Sequence, residues 1–337
     1  MSEKPYKPDF KHSYSRRCHG HDYRAPFIYH IILSKAEECE NFGSVKGDAK
    51  ITPEFPGCVY IERSPLGNII QKALKELPKD FPIIQMYQYC VMPDHVHILF
   101  RILERSEMHL GFYITKLKGK IRVEYSQLKE REYTSEEIFK PNYCDKPLTR
   151  RHSLDGLFRY IRENPHRLAM RLRYPQFFQH VRKLKVGEYE YEAYGNLFLF
   201  RNPDKEAVKI SRSFTEEEKA KKKDQWLKDA ATGTVLVLPF ISKEEKVIRT
   251  EAEAIGASLI LITHDDFSER YKPANHDFDL YSIGRLLIIS LGLAPKTELS
   301  RDLCQRMNAL AEEIAKLKMK RLFLCCCVRT CSLKSFP

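Results

Sequence analysis

The sequence predicts an α+β protein in which an antiparallel sheet with helices on one side is followed by a smaller α/β unit. In the first half of the chain, segments of β-branched and aromatic residues alternate with amphipathic helical patterns. Two of these strand patterns are joined by a tight Pro93-Asp94 turn, which favours antiparallel pairing. Beyond residue 230, continuous apolar strands alternate with helices, a pattern typical of a parallel sheet.

The elements follow from local signals. Ser64 is a predicted N-cap, with Pro65 at the first helical position. Pro165 lacks an N–H group, so we expect its helix to end or kink near Asn164. In the first half we predict strands at 27–33, 58–61, 83–92, 95–100 and 142–148, and helices that begin near residues 64, 108 and 153. In the second half we predict strands at 234–240, 258–263 and 284–291, and helices at 244–257 and 300–317.

The chain is long enough for two domains. A highly charged run at 216–223 is typical of a solvated helix face or a linker. We therefore expect a first domain at 1–185, a linker at 186–230, an accessory α/β domain at 231–320 and a tail at 321–337. Four of the ten cysteines lie in that tail, without the spacing of a zinc site.

Charge and composition narrow the range of partners and cellular locations that we expect for the protein. The 337 residues are 43% hydrophobic and 30% charged, with a formal net charge of +12, and residues 1–190 carry most of that excess. Such a balance favours a polyanionic partner, although it is also compatible with simple solubility. The N-terminus is polar and no apolar run is long enough for a bilayer. We expect a cytoplasmic protein with reduced cysteines and no membrane partner.

Two histidines stand one residue apart at the start of the strand after the Pro93-Asp94 turn. Because strand side chains alternate between faces, His95 and His97 point the same way, while Val96 and Ile98 point into a core. Two imidazoles on one rigid strand are able to bind one metal ion. The alternative is a pair of buried histidines satisfied by hydrogen bonds.

A tyrosine and an amide share one face of a later helix. Tyr160 and Asn164 are four residues apart, which places them together on that helix. A phenol is a weak nucleophile near pH 7, and a divalent metal helps by polarising the phosphoryl oxygen that it attacks. Asn164 is a candidate third, oxygen ligand. The alternatives are an ordinary surface aromatic residue and a helix C-cap.

The segment Val91-Met92-Pro93-Asp94-His95-Val96-His97, followed by Tyr160-Ile161-Arg162-Glu163-Asn164-Pro165, resembles the REP-associated tyrosine transposases. These belong to the HUH superfamily of single-strand DNA nucleases with one catalytic tyrosine. The resemblance covers about residues 14–180 and implies a ferredoxin-like sheet with the histidines on a central strand. It includes the lysine-rich helix and the stretch Tyr143-Cys144-Asp145.

The resemblance also implies a function. His95, His97 and Asn164 would bind Mg²⁺ or Mn²⁺, and Tyr160 would cleave single-stranded DNA next to a hairpin. The product would be a 5′-phosphotyrosine and a free 3′-hydroxyl, which allows strand transfer. The tyrosine would act either in its own subunit, as in a monomer, or in the partner of a homodimer. Asp94 is expected to fix the turn, with a bond to a histidine as the alternative.

Basic side chains are the candidate DNA contacts. We expect them to bind phosphates, and the alternative is a solvated helix face. They are Lys116, Lys118, Lys120 and Arg122 on the second helix, and Arg16 and Arg17 in the N-terminal arm.

Two other functions stay open at this stage. One is a domesticated DNA- or RNA-binding protein with little turnover, which the large extra domain suggests. The other is a metal phosphodiesterase in which water attacks and the tyrosine only stacks on a base. The second domain resembles the nucleotide-fold core of DNA-processing protein A, but it lacks the glycine-rich phosphate loop. We therefore interpret it as an accessory domain.

Overall fold

A computed structural model of the protein describes residues 21–51, 53, 55–148, 154–211, 213–268, 271–294 and 297–317. The chain divides into two compact units, Met1–Arg173 and Tyr174–Pro337. This boundary lies before the predicted one at residue 185, because the strand that begins at Gln179 pairs within the second unit. The predicted tail and the N-terminal arm with Arg16 and Arg17 lie outside the described residues.

The first unit contains a four-stranded antiparallel sheet with the order β4-β5-β1-β6, and a separate two-stranded sheet of β2 and β3. The predicted hairpin around Pro93-Asp94 is confirmed as β4 and β5. Its elements are β1 (Ile28–Ser34), β2 (Gly43–Lys46), β3 (Tyr60–Arg63), α1 (Pro65–Asp80), β4 (Ile84–Val91), β5 (His95–Ile102), α2 (Leu110–Lys129), α3 (Ser135–Ile138), β6 (Cys144–Pro147) and α4 (Leu154–Arg173).

The two faces of the four-stranded sheet carry different side chains: one face is apolar and the other carries the histidines. Ile31 on β1 and Val96 and Ile98 on β5 are fully buried in one core with the apolar sides of α1 and α2. Burying such aliphatic side chains stabilises the fold by about 1.5–3 kcal/mol each. Because strand side chains alternate, His95 and His97 lie on the other face. The predicted α+β class with an antiparallel sheet is confirmed, but helices lie on both faces of the sheet, because α4 packs on the histidine face.

Helix α4 covers the histidine face. The rings of Phe158 on α4 and Tyr87 on β4 lie 6.2 Å apart, and Ile161 is fully buried. The predicted end of this helix near Asn164 is wrong, because α4 continues through Pro165 to Arg173. A proline removes one backbone donor, and the burial of Ala169 and Met170 in the following turns favours continuation of the helix.

Helix α1 begins as predicted. The N–H of Gly67 donates to Oγ of Ser64 over 3.1 Å, and Pro65 occupies the first turn. Gly67 also lets the helix approach the backbone of Phe42, which directly precedes β2. A Cβ atom at this position would stand 1.9 Å from the carbonyl oxygen of Phe42. Gly67, the third residue of α1, thus determines how closely the helix packs against Phe42.

The second unit is a six-stranded mixed sheet with the order β7-β8-β12-β11-β10-β9. Strands β9 to β12 are parallel, and β8 joins β12 in antiparallel orientation. Its elements are β7 (Gln179–Val186), β8 (Tyr189–Gly195), α5 (Leu197–Arg201), β9 (Lys205–Ala207), α6 (Glu216–Ala231), β10 (Val235–Leu238), α7 (Lys243–Ala254), β11 (Leu259–Asp265), α8 (Asn275–Ser282), β12 (Leu286–Leu293) and α9 (Arg301–Lys316).

The segment predicted as a linker is part of this unit. Residues 186–230 contain β8, β9 and most of α6. Trp226 on α6 is 5% exposed, and its indole N–H donates to Glu206 over 3.0 Å. The charged run on α6 is therefore the solvated face of a packed helix, which was the alternative interpretation of that run. The predicted parallel α/β pattern beyond residue 230 is confirmed in β10, β11 and β12.

The backbone N–H groups at the start of α7 form hydrogen bonds with side chains of the same segment. Oε2 of Glu245 accepts from the N–H groups of Ile241, over 2.5 Å, and of Ser242, over 3.0 Å. In return, Oγ of Ser242 accepts from the N–H of Glu245 over 3.1 Å. Glu245 is only 3% exposed. A carboxylate thus occupies the helix end where nucleotide-binding α/β proteins place a phosphate.

Among the residues that the structure describes, none of the helices has both the length and the apolar character that crossing a membrane requires.

Candidate active site

The two imidazoles of β5 meet on the face covered by α4. Nε2 of His95 and Nε2 of His97 lie 2.9 Å apart, and the ring centroids lie 4.7 Å apart. His97 has no solvent exposure, whereas His95 is partly exposed. The alternation predicted from the sequence therefore places both Nε2 atoms toward one point.

The outward ring nitrogens of both histidines have partners. Nδ1 of His95 lies 2.6 Å from Oδ1 of Asp94, which is the bond considered as an alternative for Asp94. Nδ1 of His97 lies 3.0 Å from Nε2 of His30 on β1. His30 is 5% exposed. The sequence contains a signal for this third histidine, because His30 alternates with Tyr29 and Ile31 of the core.

Tyr160 lies beside the histidines. Its ring centroid is 5.5 Å from that of His97 and 6.5 Å from that of His30, with the rings nearly perpendicular in both pairs. The guanidinium carbon of Arg167 lies 5.2 Å from the centre of the Tyr160 ring, and Arg167 is 4% exposed. Such a buried cation over an aromatic ring restricts the orientation of the ring. The sequence motifs did not single out Arg167.

Asn164 lies one turn after Tyr160 on α4 and is 8% exposed. Its Nδ2 atom is buried without a hydrogen-bond partner. Amides in protein interiors are normally hydrogen-bonded, so this buried nitrogen, one helical turn from Tyr160, is an exception to that rule. The C-cap alternative for Asn164 does not apply, because α4 continues for two more turns to Arg173.

These groups fit a divalent ion. Neighbouring ligands of an octahedral ion, each about 2.1 Å from it, lie about 3.0 Å apart, and the two Nε2 atoms are separated by 2.9 Å. The side chain of Asn164, whose Nδ2 atom has no hydrogen-bond partner, also carries a candidate oxygen ligand. Among the described residues, no group of three or more histidine, cysteine or carboxylate side chains forms a metal site on its own. A site here needs Asn164 or groups from outside the protein.

Cys90 faces His97 across the β4–β5 pair. Its Sγ atom donates to Sδ of Met92 over 3.6 Å, and burial raises the pKa of the thiol to about 12. Cys90 is therefore a neutral thiol near pH 7 and not a ready thiolate ligand. The described cysteines are free thiols, as expected for a reduced chain: Cys39, Cys58, Cys90, Cys144 and Cys304.

The lysine-rich helix α2 packs on the core face of the sheet, opposite the histidines. Lys118 is 7% exposed, and its Nζ donates to the carbonyl oxygen of Lys140 over 2.8 Å. Nζ of Lys120 pairs with Glu76 and Asp80 at 2.8 and 2.6 Å. Contact of Lys118 and Lys120 with DNA phosphates stays a prediction, and it would require each ammonium group to leave these partners inside the first unit.

The other predicted DNA contacts are placed as follows. Lys116 is exposed and lies over the Phe112 ring at 5.4 Å, and Arg122 donates to the carbonyl oxygen of Tyr133 over 3.2 Å. Contact of these two side chains with DNA stays a prediction, on a surface away from the histidine face. Arg16 and Arg17 lie outside the described residues.

One sequence-family model matches part of the first unit. The sequence model of the family described as IS200-like transposases matches residues 61–164, a range that contains His95, His97, Tyr160 and Asn164. No curated protein matches the chain.

Two solved structures are similar to parts of the chain. One is a REP-associated tyrosine transposase bound to a REP hairpin, with 13% identity and a TM-score of 0.28 over 43% of this chain and 70% of that one. The other is a candidate transposase from Deinococcus radiodurans, with 16% identity and a TM-score of 0.27 over 44% and 97% of the two chains. The resemblance found in the sequence is confirmed over residues 61–164, where the chain matches the family model of IS200-like transposases.

Proposed function

We propose that the first unit is a metal-dependent transposase or nuclease that cleaves single-stranded DNA through Tyr160. The observation that carries this proposal is the position of the Tyr160 ring, 5.5 Å from that of His97, on the face where two imidazole Nε2 atoms converge. A nucleophile beside a cluster of metal-binding groups is the arrangement that phosphoryl transfer needs.

His95, His97 and Asn164 would hold the ion, with Mg²⁺ or Mn²⁺ as the expected metal. When bound, such an ion polarises a phosphoryl oxygen and orients the scissile bond. Asp94 and His30 orient the two imidazoles from behind, because each faces the Nδ1 atom of one of them. Arg167 holds the ring of Tyr160 in place.

In the proposed reaction the phenol oxygen of Tyr160 attacks the scissile phosphorus and loses its proton. The bond between phosphorus and the 3′-oxygen breaks, and that oxygen leaves as a 3′-hydroxyl after taking up a proton. The DNA 5′ end is then linked to the protein as a phosphotyrosine. Attack by another 3′-hydroxyl reverses the step and joins two strands, so one tyrosine is enough for transfer.

We propose single-stranded DNA with a hairpin as the substrate, with action in the cytoplasm. The support is the sequence resemblance described above and the positive charge concentrated in residues 1–190. We further propose that one chain forms a complete site, since Tyr160 and both histidines meet within a single copy.

The test is a covalent adduct with labelled single-stranded hairpin DNA in the presence of Mg²⁺ or Mn²⁺. We expect wild-type protein to form a denaturant-stable adduct and Tyr160→Phe to form none. Tyr87→Phe is the matched control, because Tyr87 lies under the same helix against Phe158 and should not alter the adduct.

Other results point to other functions. Cleavage without an adduct would indicate hydrolysis by water, with the tyrosine as a stacking residue. Tight hairpin binding without cleavage under either metal would indicate a domesticated nucleic-acid-binding protein. An adduct that survives in Tyr160→Phe would show that the nucleophile is a different residue.

A further inference from the structure

We infer that His30 is a positioning residue that holds His97 in the tautomer able to bind metal through Nε2. This inference rests on the proposed metal-dependent function. It assigns a task to a residue outside the His95–His97 pair and outside the tyrosine helix.

The contact between the two side chains is short and buried. Nε2 of His30 lies 3.0 Å from Nδ1 of His97, and the rings are stacked at 5.1 Å with an interplanar angle of 21°. His30 is 5% exposed and His97 not at all. Both side chains project from paired strands in the middle of the sheet, so the backbone fixes their separation.

The proton positions follow from this geometry. For Nε2 of His97 to offer a lone pair to a metal ion, its proton must be on Nδ1. That Nδ1–H then donates to Nε2 of His30, which must itself be unprotonated. The Nδ1–H of His95 donates to Asp94 in the same way over 2.6 Å. Each metal-binding histidine thus has its own hydrogen-bond acceptor. The acceptor of the buried His97 is the neutral imidazole of His30, and the acceptor of the more exposed His95 is the carboxylate of Asp94.

This division has an electrostatic reason. Asp94 has a side chain that is 70% exposed, so water stabilises its charge. A carboxylate behind His97 would be buried, and a buried ionised carboxylate carries a large desolvation penalty. A neutral imidazole accepts the same hydrogen bond without that penalty. Loss of such an acceptor behind a metal-bound histidine typically weakens metal binding about 10–100-fold.

The experiment measures the affinity of the full-length protein for Mn²⁺ by titration, without DNA. We expect His30→Leu to weaken Mn²⁺ binding about 10–100-fold. We expect His30→Gln to stay within about three-fold of wild type, because its amide oxygen restores the acceptor. Ile32→Leu is the matched control, since Ile32 is the direct cross-strand neighbour of His97 and contributes no hydrogen bond.

The inference is overturned if His30→Leu binds Mn²⁺ as tightly as wild type, or if His30→Gln is as weak as His30→Leu. If His30→Leu does not fold, the ring ¹⁵N shifts of wild-type His97 with Mg²⁺ decide the question: a proton on Nδ1 supports the inference, and a proton on Nε2 overturns it.

Failure of this inference is distinct from failure of the proposed function. A wild-type adduct at Tyr160 with unchanged Mn²⁺ affinity in His30→Leu removes only the role of His30. Weakened Mn²⁺ binding in His30→Leu without any adduct removes only the role of Tyr160.

Discussion

Lys118 is a charged side chain that folding removes from water. Burial lowers its pKa to about 8, although its Nζ donates to the carbonyl oxygen of Lys140. Between pH 7.5 and 9.5 the folded state loses this proton before the unfolded state does. The unfolded state therefore binds more protons in this range, and the free energy of unfolding rises with pH.

We predict that this rise is about 1 kcal/mol larger in wild type than in Lys118→Met between pH 7.5 and 9.5. Denaturant unfolding at both pH values measures it. Lys116→Met on the exposed side of α2 is the control and should follow wild type. Equal pH dependence in wild type and Lys118→Met would show that the ammonium group is well solvated.

Part of the site could be predicted from local spacing alone. The interval between His95 and His97 and the interval between Tyr160 and Asn164 each place two groups on one face of one element. His30 and Arg167 were missed because their roles depend on contacts between elements: the register of β1 against β5, and the fit of α4 on the sheet. The burial of Lys118 was missed for the same reason.

Two helical glycines provide a test of packing at the level of elements. Gly67 on α1 approaches the carbonyl oxygen of Phe42, and a Cβ atom would come within 1.9 Å of it. Around Gly119 on α2, a Cβ atom would meet nothing within 4 Å. Helix propensity alone favours alanine over glycine by about 1 kcal/mol at both positions.

We predict opposite outcomes for the two substitutions. Gly67→Ala should lower the free energy of unfolding by about 2 kcal/mol or more, because the helix must move away from the backbone of Phe42. Gly119→Ala should raise it by about 0.5–1 kcal/mol. Urea denaturation of both variants measures the difference. Stabilisation by Gly67→Ala would mean that α1 tolerates displacement from Phe42 at little cost in free energy.

The elements also show where local rules fail. The Ser64-Pro65 signal correctly predicted the start of α1. The Pro165 signal did not end α4, since tertiary packing of Ala169 and Met170 outweighs one missing hydrogen bond. Strands β2 and β9 have only four and three residues, too few for a periodic pattern. Their existence depends on partners elsewhere in the chain.

At the level of the whole molecule, we propose that one copy of the chain forms the complete site. Tyr160 and His97 of the same copy lie side by side, so exchange of α4 between subunits is not needed. We predict that a mixture of Tyr160→Phe and His97→Ala proteins forms no more adduct than the two variants do separately. The adduct assay described for hairpin DNA measures this.

Restored adduct in the mixture would show that the tyrosine acts in a partner's site. His95→Ala mixed with His97→Ala is the control, because both variants keep Tyr160 and both lack a ligand in the same pair. The sequence left the choice between one subunit and two open, since no local pattern reports which copy supplies a helix.

The division of the chain was the hardest feature to predict. A charged run at 216–223 suggested a linker, yet α6 buries Trp226 on its other side. The first unit contains the histidine and tyrosine motifs on which the resemblance rests. The family model matches residues 61–164 of this unit. The second unit had only its alternation of strands and helices, which predicts a fold class and no chemistry.

The capped start of α7 bears on what the second unit is able to recognise. The backbone N–H groups of Ile241 and Ser242, which are able to bind an anion, already donate to Glu245. The negative charge of Glu245 also repels a second anion. A phosphate group would have to displace the carboxylate of Glu245 before it could accept hydrogen bonds from these two N–H groups. At the start of α7, the chain's own carboxylate therefore occupies the N–H groups of Ile241 and Ser242.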